Sequence, residues 1–433
     1  MEIDYKIIVI IAIIASASIL GIFLVVWLTA DQSNIVKGKL ECIFTAQDEN
    51  SMGTCLSQTF KNSISADYMF YLINESRTYY GDFVGVSVSN SPDSGGRYSY
   101  NATFGWSTVS GKASVNIMSR RIDFFEMGYF IYTQSYIDSI NLSSVYVEFE
   151  KLPSNGSLLV AVDNTILHTY NADKRKAVGS TFKLFVLQAL EEHIDTTATT
   201  WSDTWPVQDK YKSLYTNGIN RYANGTLLTL KTYADYMINI SDNSATDHLI
   251  NYLDRSYVES FLPSTYDVPL LTTAESFKLR YLVSDTDLDA YLLMNDAEKR
   301  NYLDNTIINL DVNSIPSSAD WTANIAVEKQ IEWIFNISEI YHIQNITKNL
   351  DSTWDNWGLA WIGMTWPKVS YKGGSDVGVY AMAHALYNGT NWHYVTFIAN
   401  NYQEFNLEYG YIGYVPGQIG YEALCMRIMR ILN

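Results

Sequence analysis

Strand patterns at both ends of a long helical stretch limit the folds open to this chain. "GSLLVAVDN" and "TILHTYNAD", residues 156–173, read as two strands joined by a tight turn. Strand patterns return at "PKVSYKGG" (367–374), "VGVYAMAHAL" (377–386) and "WHYVTFIAN" (392–400). Helical patterns fill the interval, and "GQIGYEALCMRIMRIL" closes the chain as an apolar helix. A sheet assembled from these pieces must be closed by distant parts of the chain. The expectation for 140–433 is an α/β (α+β) unit, a mixed sheet carrying a helical subdomain.

Residues 38–139 read as a separate, small α+β unit. "TCLSQTFKNSISADYMFYLINES" is mostly helical in pattern, and short alternating runs follow it, separated by Gly, Ser, Pro and Asp. A helix followed by a curved antiparallel meander resembles the cone-shaped domains of the NTF2 and cystatin kind. This region has no histidine and no catalytic spacing, so a spacer or ligand-holding role is expected.

Ahead of it, Ile7 to Ala30 form an uncharged apolar run of 24 residues. As a helix it would extend roughly 36 Å, enough to cross a bilayer with some tilt. "LTA" before Asp31 is a poor cleavage site, so the run reads as an uncleaved, single-pass membrane anchor. Lys6 on one side and Lys37 and Lys39 on the other leave the flanking charges nearly balanced. Cys42 and Cys55 close a small loop if paired, which would suit an extracytoplasmic location; two buried thiols are the alternative. Nine N-x-S/T sequons occur, at Asn74, Asn101, Asn141, Asn155, Asn224, Asn239, Asn336, Asn345 and Asn388. Chance supplies many of these. The net charge of -17, with no basic stripe, argues against nucleic acid as a partner.

Three short motifs carry chemistry. In "VGSTFKLFVLQAL", Ser180 and Lys183 lie three apart at a helix start, so they share a face. Orphan N–H groups and the positive dipole end would stabilise an anion there. Ser is a poor nucleophile until a base takes its proton, and a buried Lys can serve. The alternative is a Ser-capped helix with a solvated Lys. In "MINISDNSATDHLI", Ser241-Asp242-Asn243 forms a turn that offers a relaying hydroxyl and an amide, or else a helix cap. In "VSYKGGSDVGVY", Lys372 precedes Gly373, Gly374 and Ser375, where a backbone can approach a ligand closely. The alternative there is a hairpin with a surface Lys.

In this order, the motifs resemble the S-x-x-K, S-D-N and K-T-G signature of class A β-lactamases and penicillin-binding proteins. "PLLTTAESFKLR" strengthens the likeness to a branch of class A-like serine hydrolases that carries an NTF2- or cystatin-like N-terminal domain. The interval 241 − 180 = 61 fits that family. The interval 372 − 241 = 131 is longer and implies an insertion between Asp285 and Trp357. The resemblance implies that Ser180 is the acyl-accepting nucleophile and Lys183 its base. Ser241 would relay a proton to the leaving group. Asn243 would orient the substrate amide, and Lys372 would face its carboxylate. The N–H groups of Ser180 and Ser375 would form the oxyanion hole.

Two departures stand out. Lys372-Gly373-Gly374 lacks the usual Thr hydroxyl. No Glu-x-x-Leu-Asn loop lies between Asp254 and Thr273: Glu259 does not match it, and Glu275 reads as first-turn helix stabilisation. Slow hydrolysis of an acyl-enzyme follows. The six histidines show no metal-ligand spacing, and His248 reads as structural; neither metal nor cofactor is expected. The expectation is a membrane-anchored, extracytoplasmic serine hydrolase acting on a small-molecule or peptide amide, ester or β-lactam. A penicillin-binding-protein-like peptidase or transpeptidase is one alternative, and a non-catalytic envelope-binding module is another.

Overall fold

The computed structural model describes residues 32–116, 118–153, 155–214, 218–315, 331–350, 366–401 and 417–433. The apolar run Ile7–Ala30 lies outside them. Among the described residues no helix is long and apolar enough to cross a membrane. The chain divides into two units, one ending at Tyr136 and the other beginning at Ile137.

The first unit opens with α1 (Gln32–Thr45). After two short helices comes α2 (Ala66–Tyr80), capped where Ser65 Oγ accepts the Tyr68 N–H. Gly81 ends α2 at φ +92°, and a Cβ there would lie 2.9 Å from Gly105 Cα, so only glycine suits the position. Four strands follow: β1 (Phe83–Val88), β2 (Tyr98–Phe104), β3 (Ser107–Asn116) and β4 (Arg121–Tyr132). They pair in sequence order, each antiparallel to the last. Alternation along β2 turns Tyr98, Tyr100, Ala102 and Phe104 inward. Phe44 of α1 enters that face, with ring centroids of Phe83, Tyr100, Phe104 and Phe125 at 5.3–6.0 Å. Cys42 and Cys55 are joined as a disulfide, which settles the choice that the sequence left open.

The second unit begins with α3 (Leu142–Glu150), then the hairpin β5 (Asn155–Val162) and β6 (Thr165–Tyr170), and the short β7 (Lys176–Ala177). A 3-10 turn, Gly179–Phe182, leads into α4 (Lys183–Thr196). Then come β8 (Thr204–Pro206), β9 (Leu227–Thr229), α5 (Leu230–Asn239), α6 (Asn243–Leu253), α7 (Arg255–Glu259) and α8 (Thr273–Tyr281). Helices α9 (Asp285–Leu293) and α10 (Asp296–Asn305) occupy the region of the expected insertion. Leu279, Leu288, Tyr291, Leu303, Ile307 and Ile331 give this region a small core of its own. The chain continues with β10 (Ile334–Phe335), α11 (Ile337–Thr347), β11 (Lys368–Asp376), β12 (Val379–Tyr387), β13 (Trp392–Asn400) and α12 (Gln418–Leu432).

The main sheet runs in the order β11-β12-β13-β5-β6, so the first hairpin does join the last three strands. All four pairings are antiparallel, which corrects the expectation of a mixed sheet. Tight turns force that direction within each hairpin. The β13–β5 pairing joins strands separated by the whole helical region, so no short connection dictated its direction. Helices cover both faces. Ala381, Ala383 and Ala385 of β12 share one face with Ile337, Ile340 and Ile343 of α11. Small side chains there let the helix approach closely. On the opposite face Phe397 stacks on Tyr421 of α12, and Phe149 of α3 meets both rings. Each buried Ile or Phe contributes about 1.5–3 kcal/mol through burial.

Candidate active site

β7 runs into the site and turns sharply there. Gly179 adopts φ +50°, and a Cβ on it would lie 2.8 Å from Ser375 N. Across the contact, a Cβ on Gly374 would lie 2.0 Å from Val178 O and 2.8 Å from Ser180 N. β11 is an edge strand, and its free edge packs backbone to backbone against the turn that carries Ser180. The amides of Ser180 and Ser375 therefore flank one glycine–glycine contact. Phe182 anchors the turn from below by stacking on Trp333 at 4.1 Å between centroids.

Ser180 is half-buried, and its side chain makes no hydrogen bond among the described residues. Lys183, one turn on, is 0 % exposed. The sequence placed both on an α-helix; in the structure Ser180 sits in the 3-10 turn and the α-helix starts at Lys183. Residues three apart eclipse in such a turn, so the two remain neighbours. Lys183 Nζ donates to Ser241 O at 2.6 Å, to Asn243 Oδ1 at 2.7 Å and to Ser241 Oγ at 3.3 Å. Burial pushes its pKa down to about 7, against the opposing pull of Asp247 and Asp242. A large fraction is therefore neutral near pH 7, as a general base requires.

Ser241 occupies the turn between α5 and α6 at φ +55°, a conformation that costs a non-glycine residue about 1 kcal/mol or more. Asp242 holds it there. Its carboxylate caps α6 through the Ala245 N–H at 2.7 Å and accepts the N–H groups of Gly218 and Ile219 at 2.8 and 3.1 Å. Lys372 is 2 % exposed, and its Nζ donates to Ser241 Oγ at 2.9 Å and to Gly373 O at 2.5 Å. Both lysines thus donate to one hydroxyl oxygen. With its acceptor capacity filled, Ser241 has its own proton left to donate. Asn243 Nδ2 donates to Leu214 O at 2.9 Å, so a substrate carbonyl would have to share that donor. Ser375 is exposed at the rim.

Sequence reasoning missed Asp247, which lies one helical turn beyond Asn243 on α6. It is buried and accepts from Thr273 N, Thr273 Oγ1 and Ala274 N at 2.7, 2.9 and 2.8 Å. Burial raises its pKa to about 7 despite those donors. The (i, i+4) spacing from Asn243 was the available signal. The two glutamates weighed for deacylation are both committed elsewhere. Glu259 accepts the Leu270 N–H at 2.7 Å and pairs with Arg300. Glu275 completes a capping box with Thr272 and makes a two-pronged pair with Arg255 at 2.6 and 2.9 Å. His248 is buried; its Nε2 accepts the Gln208 N–H at 2.9 Å, so the proton sits on Nδ1 and goes to Ser244 O. It clamps a loop.

Residues 151–284 match the family described as the Beta-lactamase enzyme family. The second unit has a β-lactamase-like fold. The matched stretch contains Ser180, Lys183, Ser241 and Asn243 and ends before Lys372. Similar solved structures include the β-lactamase from Sphaerobacter thermophilus DSM 20745, 15% identical over 67% of this chain and 97% of that one, with a TM-score of 0.42. The β-lactamase from Desulfarculus baarsii DSM 2075 is 12% identical over 68% and 99%, with a TM-score of 0.43. That from Francisella tularensis is 11% identical over 67% and 98%, with a TM-score of 0.40. No curated protein matches.

Proposed function

We propose that the β-lactamase-like unit is a serine hydrolase that forms an acyl-enzyme on Ser180 with an amide, ester or β-lactam. The observation that carries this is the buried Lys183, its pKa held near 7, sharing Ser241 Oγ with Lys372. Neutral Lys183 accepts the Ser180 proton as Oγ bonds to the substrate carbonyl carbon. The oxyanion forms beside the amides of Ser180 and Ser375. As the carbonyl reforms, the bond to the leaving nitrogen or oxygen breaks. Ser241 gives its proton to that atom and is re-protonated from Lys183. The charge of Lys372 suits a substrate carboxylate nearby.

Water is the slow partner for the second half. Glu259 and Glu275 are both held in structural pairs, which leaves neither free to activate it. The acyl-enzyme then persists. That favours, as a second reading, acyl transfer to an amine in the manner of a transpeptidase.

In this reading Ile7–Ala30 anchors the chain in the cell membrane, and the hydrolase faces outward. The Cys42–Cys55 disulfide supports an oxidising compartment. The helices and four-stranded meander of the first unit suit an NTF2- or cystatin-like spacer. Mass spectrometry of the intact protein after exposure to a penicillin tests the reading. An adduct present in the natural protein and lost in Ser180→Ala supports it; a binding module would form none.

A further inference from the structure

The strand that delivers the nucleophile, β7, has two residues, so its placement depends on what borders it. On one side it pairs with β10: Ala177 lies opposite Ile334, and the Val178 N–H donates to Trp333 O at 3.0 Å. Successive residues of a strand turn their polar backbone groups to opposite edges, so those of Ala177 face the other side. There they meet a side chain in place of a strand. The Ala177 N–H donates to Asn400 Oδ1 at 2.9 Å, and Asn400 Nδ2 donates to Ala177 O at 2.9 Å. Nδ2 also donates to Ala399 O at 3.0 Å, which fixes the plane of the amide. Asn400 is 0 % exposed. Its backbone ends β13 opposite Val379, and Val379 lies opposite Asp376, the residue after Ser375. Ala177, Val377 and Val379 form a small buried cluster beside this hairpin. Lys176 Nζ donates to Asn155 Oδ1 at 2.8 Å, and Asn155 is the β5 residue opposite Asn400.

We infer that Asn400 is a positioning residue: its carboxamide takes the place of a neighbouring strand along β7 and holds the turn that bears Ser180 in register with the Ser375 amide. This rests on the proposed role of Ser180. A carboxamide offers a donor and an acceptor together, the same pair that a strand residue presents at its edge. Through that pair the Asn400 side chain satisfies both polar backbone groups of Ala177, three residues before Ser180. Through its backbone the same residue belongs to the sheet that carries Ser375. One residue therefore joins the two walls of the oxyanion contact. A side chain without the pair would release β7 from the end of β13, and the amides of Ser180 and Ser375 would lose their common spacing.

Asn400→Ala removes both bonds to Ala177. Asn400→Asp keeps the shape and an acceptor but loses the amide donor, and it carries the test if Asn400→Ala does not fold. Hydrogen exchange of the full-length protein reads the tether without any reaction at Ser180. The amides of residues 176–182 should exchange about tenfold faster in the variant, while those of α6 keep the natural rate. Labelling of Ser180 by a fluorophosphonate, followed over a range of reagent concentrations, reads the register. Oxyanion donors act in the transition state, so the maximal rate should fall by about tenfold, a part of what losing such a donor costs, with the half-saturating concentration unchanged. A residue that served stability alone would lower the fraction of protein labelled and leave the rate of the folded fraction as it was. Natural exchange over 176–182 in a folded variant overturns the tether. Faster exchange with a natural maximal rate, or a loss confined to the half-saturating concentration, overturns the positioning role. If the natural protein itself is not labelled, the reading of Ser180 fails, and hydrogen exchange alone decides whether Asn400 holds β7.

Discussion

Lys183 and Lys372 direct their ammonium groups at the same atom, Ser241 Oγ, from 3.3 and 2.9 Å. Two like charges around one hydroxyl are unfavourable in a buried setting. Lys183 is the deeper of the two at 0 % exposure. Burial, against the opposing pull of Asp247 and Asp242, lowers its pKa to about 7, so it gives up its proton near neutrality.

The pH dependence of acylation follows from the burial of Lys183. Lys183 acts as a base only when neutral, and its pKa lies at about 7. The second-order rate of Ser180 labelling should climb between pH 5.5 and 7 and level off above, before any alkaline fall. Lys183→Ala should lower the plateau by about 10²–10⁴-fold, the usual share of a general base. A rate independent of pH in this window would remove Lys183 from that role.

Gly374 is required by space. A Cβ there would meet Val178 O at 2.0 Å, and that oxygen belongs to backbone, which cannot swing away. Gly374→Ala should cost about 3 kcal/mol in urea unfolding and slow labelling by about 10²-fold as the oxyanion amides separate. A stable and fully reactive variant would show that the two backbones do not meet as described.

Asp242 serves structure in the middle of a catalytic-looking triplet. Asp242→Ala removes a helix cap, about 1 kcal/mol, and strands the buried N–H groups of Gly218 and Ile219 at about 1 kcal/mol each. A loss of about 2–3 kcal/mol in denaturant unfolding is expected.

Much of this was legible in the sequence. The strands at both ends, the three motifs and the first-turn role of Glu275 followed from local pattern and spacing. What escaped depends on contacts between distant residues. The direction of the β13–β5 pairing is set by packing across the unit. Asp247 looked like an ordinary helix residue until Thr273 and Ala274 folded onto it. The alternative of a solvated Lys183 was undecidable by spacing, because burial is a tertiary property.

Glu275 gives the sharpest test of the deacylation argument. Its carboxylate pairs with Arg255, whose side chain is 18% exposed. Glu275→Gln should destabilise the protein by about 2–3 kcal/mol, since it leaves a largely buried guanidinium without its partner charge. The lifetime of an acyl adduct should not change. A much longer lifetime in E275Q would make Glu275 the water-activating base after all.

The most direct measurement is the mass of the intact full-length protein after incubation with a penicillin and, separately, with a fluorophosphonate, beside Ser180→Ala. The account predicts a one-to-one adduct with at least one reagent, persisting for many minutes after the reagent is removed and lost in the variant. An unchanged mass with both reagents, or an adduct that survives in Ser180→Ala, would contradict it.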